Sequence, residues 1–264
     1  MSIAAVLVTH NSAQFIGATL GSVMAQSIAP ELIVIVDDNS TDATVSLIHE
    51  QTGASSIPVI IQASETDAAD THTRIAQNFM QGVRLAQEQG ADITVLGDHD
   101  DIWHEDRIAR HAKVLADNPT AMMVAADGRV MRDERPTQET LRDAFPVPQE
   151  FNSWRASQQF HYAVRHSVAT GGASALRPAG FQHFAVPHGW LHDRWWSLAA
   201  AAHHALVIDP APVIDYRISD VQQIGLDTAG QQGGTARRLA HHARNLQRTT
   251  GRLVDLVPLF IASR

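Results

Sequence analysis

The sequence of 264 residues contains no cysteine. This absence excludes a disulfide scaffold, a zinc site built from thiolates and a cysteine nucleophile. Charged residues are also scarce, at 18% of the chain against 44% apolar residues. That balance excludes intrinsic disorder of the whole chain, and the length predicts one large domain or a domain with a smaller appendage.

Long hydrophobic runs are missing as well. The best candidate for a membrane span, around residues 198–208, is interrupted by His203 and His204, and no run approaches the ~18 consecutive apolar residues that a span needs. Residues 1–8 show neither the basic segment nor the cleavage site of a secretory signal. We therefore expect a cytoplasmic protein.

Charge is distributed unevenly along the chain. The formal net charge is −8, but residues 235–264 hold six arginines and one acid, so they carry +5 and residues 1–234 carry −13. An acidic body argues against nucleic acid as a partner, because phosphate binding needs a basic face. It favours a protein that holds anionic ligands through a bound cation.

Short apolar runs in the first hundred residues predict strands that are buried on both faces of a sheet. Three runs are strong, and a weaker fourth at residues 57–61 contains Pro58. The strong runs cover residues 3–8, 32–36 and 93–96. Three segments have helical patterns: one begins after Ser12, one begins after Asp42, and the third covers residues 74–89. This alternation predicts βαβ units in an α/β fold with an open, mostly parallel sheet flanked by helices.

The rest of the chain is less regular. Residues 126–159 are polar and contain three prolines, which predicts long connections with one short helix. Residues 191–205 predict a helix, and residues 207–216 predict an extended segment. The glycines within residues 230–234 predict a linker.

Polar clusters follow the three strong strands directly. They are Thr9-His10-Asn11, Asp37 to Asp42, and Asp98 to Asp101. Ligands bind outside the carboxyl ends of strands in open parallel sheets, so these clusters would converge on one edge. Each cluster alone is equally well explained by turns and helix caps, but the three together favour a ligand crevice.

The third cluster places Asp98, Asp100 and Asp101 within four residues. Two unit charges ~4 Å apart repel by about 4 kcal/mol at an effective dielectric constant of about 20, so the cluster is solvated, protonated or holding a cation. The chain has neither a G-x-x-x-x-G-K-[ST] loop nor a G-x-G-x-x-G turn to cradle phosphates. A hard divalent ion, Mg²⁺ or Mn²⁺, usually lies between carboxylates and substrate phosphates. We infer a nucleotide diphosphate bridged by a metal ion.

Five segments together resemble the family 2 glycosyltransferases of the GT-A fold, most closely the bacterial branch that transfers rhamnose and similar sugars to surface polysaccharides. They are Val8 to Asn11, Val36 to Asp42, Gln77 to Phe79, Leu96 to Trp103, and His192 to Trp196. The resemblance spans residues 3–225 and implies an inverting transferase that uses Mn²⁺ or Mg²⁺. Such an enzyme moves a sugar from a nucleotide-diphospho-sugar to a hydroxyl of a glycan, lipid-linked or small-molecule acceptor.

The resemblance also implies roles for individual residues. Asp193 stands at the position of the catalytic base, near a helix start where the helix dipole favours a carboxylate; alternatively, Asp193 only caps that helix. Asp98 and Asp100 belong to the D-x-D element, with Asp98 facing the ribose and both as metal ligands. The nucleotide-sugar-binding positions are Thr9, His10, Asn11, Asp37, Asp38, Asn78 and Asp98. Apart from the resemblance, Arg74 is a further candidate that could reach the diphosphate; alternatively, it is an ordinary surface arginine. The candidates for donor or acceptor sugar contacts are Gly171, Gly172, His192, Trp195 and Trp196, of which the two tryptophans alternatively belong to the core.

Two positions depart from the family pattern. His10 stands where relatives often have an aromatic residue that stacks on the base. Ser219 stands where relatives commonly have a histidine that can complete the metal site, so either Asp220 or water replaces that ligand or the metal is held weakly. A non-catalytic module that kept the fold and binds nucleotide-sugars is the alternative function, and a nucleotidyltransferase is a third.

The resemblance places the transferase domain at residues 1–229, with a nucleotide-binding half at 1–101 and an acceptor-side half at 102–229. Residues 230–264 predict a basic helical tail with leucines at every seventh residue, namely Leu239, Leu246 and Leu253. Such a stripe packs on the domain or on another subunit. Alternatively, the tail lies on the inner face of an anionic membrane, where a lipid-linked acceptor would be found.

Overall fold

The computed structural model describes residues 1–218 and 253–262. Ser219, Asp220, Leu239, Leu246 and the predicted linker lie outside the described residues, so the predictions made for them stay predictions.

The described residues form nine strands and eight α-helices. The strands are β1 (Ile3–Thr9), β2 (Leu32–Asp37), β3 (Val59–Ala63), β4 (Ile93–Asp98), β5 (Ile102–Trp103), β6 (Met123–Arg132), β7 (Arg135–Thr140), β8 (Ser174–Leu176) and β9 (Leu206–Arg217). The helices are α1 (Ile16–Met24), α2 (Thr44–Thr52), α3 (Thr71–Glu88), α4 (Arg107–Asp117), α5 (Leu141–Ala144), α6 (Ala156–Arg165), α7 (His192–Ala202) and α8 (Leu253–Ala262).

All nine strands belong to one sheet, in the order β3-β2-β1-β4-β8-β6-β9-β5, with β7 paired to β6. The first four strands are parallel. Beyond them β8 runs antiparallel to β4 and β6, while β6 and β9 are parallel. The register places Thr9 beside Asp37 and Val8 beside Asp98, so the carboxyl ends of β1, β2 and β4 meet at one edge.

Helices cover both faces of the sheet, because the side chains of a strand alternate between two apolar layers. Val6 of β1 lies in the layer that contains Phe79 of α3 and Leu198 of α7. Leu7 lies in the opposite layer with Leu20 of α1 and Ile48 of α2. The central strands are therefore buried on both sides, as their continuous apolar runs predict.

Most predicted elements are confirmed. The three strong runs form β1, β2 and β4, the helical patterns form α1, α2, α3 and α7, and the extended segment forms part of β9. The fourth run forms β3, which begins one residue after Pro58.

The prediction of long connections for residues 126–159 was wrong, because this stretch includes most of β6, all of β7, all of the short helix α5 and the first turn of α6. Polar side chains within β6 hid the strand from a hydropathy pattern. The Asp127 carboxylate accepts hydrogen bonds from the backbone N–H groups of Gly128 and Arg142, at 2.8 and 3.1 Å. Arg129 forms two hydrogen bonds to Asp215 of β9, at 2.7 and 3.0 Å.

The described part of the tail packs on the domain through α8. Leu256 and Leu259 are 5% and 1% exposed and join the apolar layer that contains α7. Trp190 Nε1 donates a hydrogen bond to Asp255 Oδ2 at 2.9 Å. Within residues 1–218 and 253–262, no helix combines the length and the hydropathy needed to cross a bilayer. Contact of the tail with a membrane or a second subunit, and the boundary at residue 229, stay predictions.

Candidate active site

The turn after β2 is stabilised by hydrogen bonds from the end of β1 and from within the turn itself. Thr9 Oγ1 donates a hydrogen bond to Asp37 Oδ1 at 2.9 Å. The backbone N–H and the hydroxyl of Ser40 donate to the same carboxylate, at 2.9 and 2.6 Å. Asp37 and Thr9 are both buried, and their contacts fix the geometry of the turn that carries Asp38.

Asp38 and His10 lie together beside this turn. Arg74 Nε of α3 donates to Asp38 Oδ2 at 2.8 Å. His10 Nδ1 lies 2.6 Å from the Asp38 carbonyl oxygen, and its Nε2 lies 3.1 Å from Asn11 Nδ2. A carbonyl oxygen only accepts and an amide nitrogen only donates, so the His10 proton belongs on Nδ1. Asn11 has a φ of +47°, which asparagine tolerates better than most side chains.

Asn78 of α3 lies below the loop that follows β3. Its side chain is fully buried, and its Oδ1 accepts a hydrogen bond from Ser64 Oγ at 2.5 Å. The structure thus places Asn78 where it holds the 64–66 loop.

The acidic turn after β4 holds three carboxylates. Asp98 is half-buried, while Asp100 and Asp101 are 4% and 0% exposed. Burial, followed by the charges of Asp100 and Asp193, raises the pKa of Asp98 to about 7. Burial and the charges of Asp100 and Asp98 raise the pKa of Asp101 well above its usual range. The raised pKa values of Asp98 and Asp101 therefore reflect the electrostatic repulsion that the sequence predicts for this cluster.

Arg217, at the end of β9, fastens this turn. Its backbone N–H donates to Asp101 Oδ1 at 3.0 Å, and its Nε donates to the Asp100 carbonyl oxygen at 2.8 Å. The other oxygen of the same carboxylate, Asp101 Oδ2, is buried and has no hydrogen-bond partner among the described residues. The turn thus presents one oxygen whose polar interactions are incomplete.

Arg107 of α4 lies beneath the acidic turn and is fully buried. Its guanidinium lies 3.8 Å from the centroid of the Trp103 ring, and it donates to the carbonyl oxygens of Leu96 and Ser174. Burial lowers the pKa of Arg107 to about 9, whereas the charges of Asp101 and Asp98 act in the opposite direction. A cation is therefore built into the inner side of the carboxylate cluster.

Asp193 lies in the first turn of α7. Its Oδ2 accepts from the Gly171 N–H at 3.0 Å, and its Oδ1 accepts from the Arg194 N–H at 2.6 Å. The charge of Asp193 contributes to the raised pKa of Asp98, so the structure brings these two carboxylates near each other from elements 95 residues apart in the sequence. The backbone of Gly172 lies beside the Asp98 carboxylate and acts to lower the pKa of Asp98, against the effect of burial.

The aromatic residues around Asp193 belong to the interior. Trp195 and Trp196 are 5% and 3% exposed and lie in the core, where the alternative interpretation of the sequence puts them. The ring of His192 stacks on Phe79 with centroids 3.9 Å apart. Burial lowers the pKa of His192 to about 4, against the charge of Asp193, so this histidine is neutral near pH 7.

Sequence patterns did not indicate Arg107, Arg217 or a partner for Asp101 as parts of the site. Each contact joins residues that are distant in the sequence, and an arginine at a helix start or a strand end reads as an ordinary surface charge. The surplus of acids after β4 was the one available signal, because carboxylates at such density call for a cation nearby.

The donor set of the acidic turn fits a hard divalent cation. Asp98 and Asp100 supply carboxylate oxygens, the ligand type that Mg²⁺ and Mn²⁺ prefer. The described ranges contain no group of three or more His, Cys, Asp and Glu side chains placed to hold a metal ion by themselves. Two carboxylates nevertheless suffice for Mg²⁺ where water and substrate phosphates complete the coordination.

Solved glycosyltransferase structures share this fold. S. aureus TarS residues 1–349 with UDP-GlcNAc has a TM-score of 0.61 at 13% identity, covering 93% of this chain and 66% of that chain. The Pyrobaculum calidifontis mannosyltransferase PcManGT, with GDP-Man and Mn²⁺, has a TM-score of 0.56 at 17% identity, covering 98% and 68%. Glucosyl-3-phosphoglycerate synthase from Mycobacterium tuberculosis, with Mn²⁺, UDP and glucosyl-3-phosphoglycerate, has a TM-score of 0.56 at 13% identity, covering 94% and 78%. The predicted GT-A fold is confirmed.

A further structure of TarS residues 1–349 is matched over 82% of this chain but only 60% of its own length, so the chain spans less than two thirds of that relative. No curated protein matches the sequence. The family model described as glycosyl transferase family 2 matches residues 4–184. This range begins at the second residue of β1, continues through β8 with the acidic turn and the two glycines, and ends before α7. The chain therefore belongs to glycosyl transferase family 2.

Proposed function

We propose that this chain is an inverting glycosyltransferase in which Asp193 accepts the proton of the acceptor hydroxyl. The observation that carries the proposal is the pair of carboxylates Asp98 and Asp193, which lie against the adjacent residues Gly172 and Gly171. One carboxylate would serve the leaving group and the other the attacking group, the two places where an inverting displacement needs charge control.

The turns after β1 and β2 would bind the nucleotide. Thr9, Asp37 and Asp38 form a rigid hydrogen-bonded edge, and Arg74 adds a cationic group that is already oriented by Asp38. The related structures contain UDP-GlcNAc and GDP-Man, which supports a nucleotide-diphospho-sugar as donor. His10 and Asn11 would lie beside the base.

Asp98 and Asp100 would hold the divalent ion, Mn²⁺ or Mg²⁺. When bound, such an ion stabilises the negative charge that develops on the leaving diphosphate. The presence of Mn²⁺ in two of the related structures supports this role. Arg107 would hold the acidic turn in place from the inner side, because its charge attracts both Asp98 and Asp101.

Asp193 is oriented to receive a proton. A carboxylate has about four lone-pair positions, and backbone N–H groups occupy one on each Asp193 oxygen. In the proposed step the acceptor oxygen forms a bond to the anomeric carbon while the bond to the diphosphate oxygen breaks. The hydroxyl proton moves to Asp193, and the electron pair leaves with the diphosphate.

The proposed acceptor is a hydroxyl of a glycan, a lipid-linked molecule or a small molecule, and the proposed setting is surface polysaccharide biosynthesis. Its support is the resemblance of the sequence motifs to the bacterial branch that modifies such polymers.

The Asp193→Asn variant tests the proposed function. The amide keeps the shape of the side chain but cannot accept the proton, so we expect donor binding within about twofold of wild type and transfer reduced by about 10²-fold or more. Binding is measured by calorimetry with UDP-sugars and GDP-sugars in Mn²⁺, and transfer by release of nucleoside diphosphate over a panel of acceptors.

Asp143→Asn is the matched control, because Asp143 also lies in the first turn of a helix and accepts a backbone N–H, from Thr140 at 2.8 Å. This variant should keep full turnover. Undiminished transfer by Asp193→Asn removes Asp193 from its role. Donor binding by wild type without transfer or hydrolysis on any acceptor identifies the non-catalytic module instead.

A further inference from the structure

Gly171 and Gly172, just before β8, lie between the two carboxylates of the candidate site. Gly171 N–H donates to Asp193 Oδ2 at 3.0 Å, and the backbone of Gly172 lies beside the Asp98 carboxylate. Consecutive Cα atoms are about 3.8 Å apart across a planar peptide. Two adjacent residues therefore lie between a carboxylate at the end of β4 and a carboxylate at the start of α7.

Neither glycine has room for a side chain. A Cβ atom at position 171 would lie 2.5 Å from His192 Nε2, and one at position 172 would lie 2.7 Å from Asp98 Oδ2 and 2.8 Å from Asp101 Oδ2. The positive φ angles of glycine among the described residues are at Gly90 and Gly189. The requirement for glycine at 171 and 172 is therefore close approach rather than a left-handed backbone.

Two of the groups that face the glycines, His192 and Asp101, have little freedom to move away. The His192 ring is 4% exposed and is packed between Phe79 and Trp196, with ring centroids at 3.9 and 5.4 Å. Neither of its ring nitrogens has a hydrogen-bond partner among the residues described, so packing alone sets its position. Asp101 is fully buried and fixed by the Arg217 N–H. An added Cβ atom would therefore displace the loop that carries the glycines, and with it the carboxylates of Asp98 and Asp193.

We propose that Gly171 and Gly172 are positioning residues that set the separation of Asp193 from Asp98. This inference rests on the proposed function, in which Asp193 accepts a proton while Asp98 lies on the side of the donor diphosphate. The two groups must act on opposite sides of one anomeric carbon, and a displacement of ~1 Å can cost about 10²-fold in rate. Gly171 controls the proton acceptor, and Gly172 controls the donor side.

The two alanine variants have different expected effects. Gly171→Ala presses on His192 and lies 3.7 Å from Asp193 Cβ, so kcat should fall about tenfold or more while the dissociation constant for nucleoside diphosphate in Mn²⁺ changes less than about twofold. Gly172→Ala presses on the Asp98 and Asp101 oxygens, so that dissociation constant should rise about tenfold or more. The constants come from calorimetry with UDP and GDP, and kcat from sugar transfer.

Gly180→Ala is the matched control. Its Cβ would lie 2.8 Å from Met122, and its three nearest atoms all belong to that flexible side chain. This variant should lower the melting temperature, and any change in kcat should be matched by a change of similar size in the dissociation constant for nucleoside diphosphate. A second comparison uses His192→Ala, which removes the atoms that a Cβ at 171 would meet. In that background, adding Gly171→Ala should lower kcat less than about threefold, because the two sites are coupled.

The inference is overturned if kcat and binding fall in equal proportion in both glycine variants. It is also overturned if these variants behave like Gly180→Ala at the same loss of melting temperature. An undiminished effect of Gly171→Ala in the His192→Ala background overturns it as well. A wild-type protein that neither binds a nucleoside diphosphate nor transfers sugar overturns the proposed function and this inference with it. An active wild type with unaffected glycine variants overturns the inference alone.

Discussion

At the scale of single residues, the candidate site is a set of buried charges with partners from distant parts of the chain. Arg107 attracts Asp98 and Asp101 from below, and Arg217 fastens the backbone beside them. Removing one partner of a buried ionic pair is costly because the other charge stays behind unpaired. The acidic turn therefore depends on cations that do not bind substrate in our account.

His111 of α4 gives a pH dependence that can be assigned to one residue. Burial, followed by the charges of Arg107 and Arg110, lowers its pKa well below the usual range. Below pH ~6.5 the unfolded chain takes up a proton that the folded state does not accept, so stability is lost as the pH falls. Relative to His111→Gln, the wild type should lose about 1.4 kcal/mol per pH unit between about pH 6 and 5.

Urea unfolding of both proteins at several pH values measures this difference. The control is His49→Gln, which replaces an exposed histidine of α2. Parallel stability curves for the wild type and His111→Gln contradict a neutral buried histidine at this position.

Some site residues could be identified from the sequence because they follow strands. Thr9, Asp37 and Asp98 come directly after continuous apolar runs, and the parallel register brings those strand ends together. The position of Asp193 beside Asp98 could not be derived from spacing, since 95 residues separate them. The clash that excludes a side chain at Gly172 depends on the same long-range approach.

At the scale of elements, the sequence predicted strands that are buried on both faces of the sheet. It did not predict strands whose charged residues pair with a neighbouring strand. Most buried residues of β1, β2 and β4 are apolar, so hydropathy alone revealed these strands. In β6, Asp127 is buried and Arg129 pairs with Asp215 of β9. The polar residues within this strand give it a sequence pattern that is typical of a loop. A pattern based on single residues cannot register a partner in another strand.

Helix α8 gives the prediction at this scale. Leu256 and Leu259 are buried against the domain, whereas Val257 is 52% exposed. Leu256→Ala and Leu259→Ala should each lower the free energy of unfolding by about 2–5 kcal/mol, and Val257→Ala should change it by less than about 0.5 kcal/mol.

Thermal and urea unfolding of the full chain measure these changes. Equal, small effects of all three substitutions contradict the packing of α8 on the domain.

At the scale of the whole molecule, the candidate site lies where the parallel half of the sheet meets the mixed half. β4 ends in Asp98 and pairs with β8, which the two glycines precede. Ligands of open α/β sheets bind outside the carboxyl ends of the strands, and here that edge also receives the start of α7. The fold thereby places the donor side and the acceptor side of the proposed reaction next to each other.

The most direct test of this account is the thermal stability of the protein with a nucleoside diphosphate, measured with and without Mn²⁺. If carboxylates of the acidic turn join the cation to the diphosphate, UDP or GDP at about 100 times its dissociation constant should stabilise the fold by about 2.7 kcal/mol. That gain should vanish in EDTA and in Asp100→Ala, but persist in Asp92→Ala, which alters an acid whose side chain is 62% exposed. Equal stabilisation without a divalent cation, or in Asp100→Ala, would contradict the account.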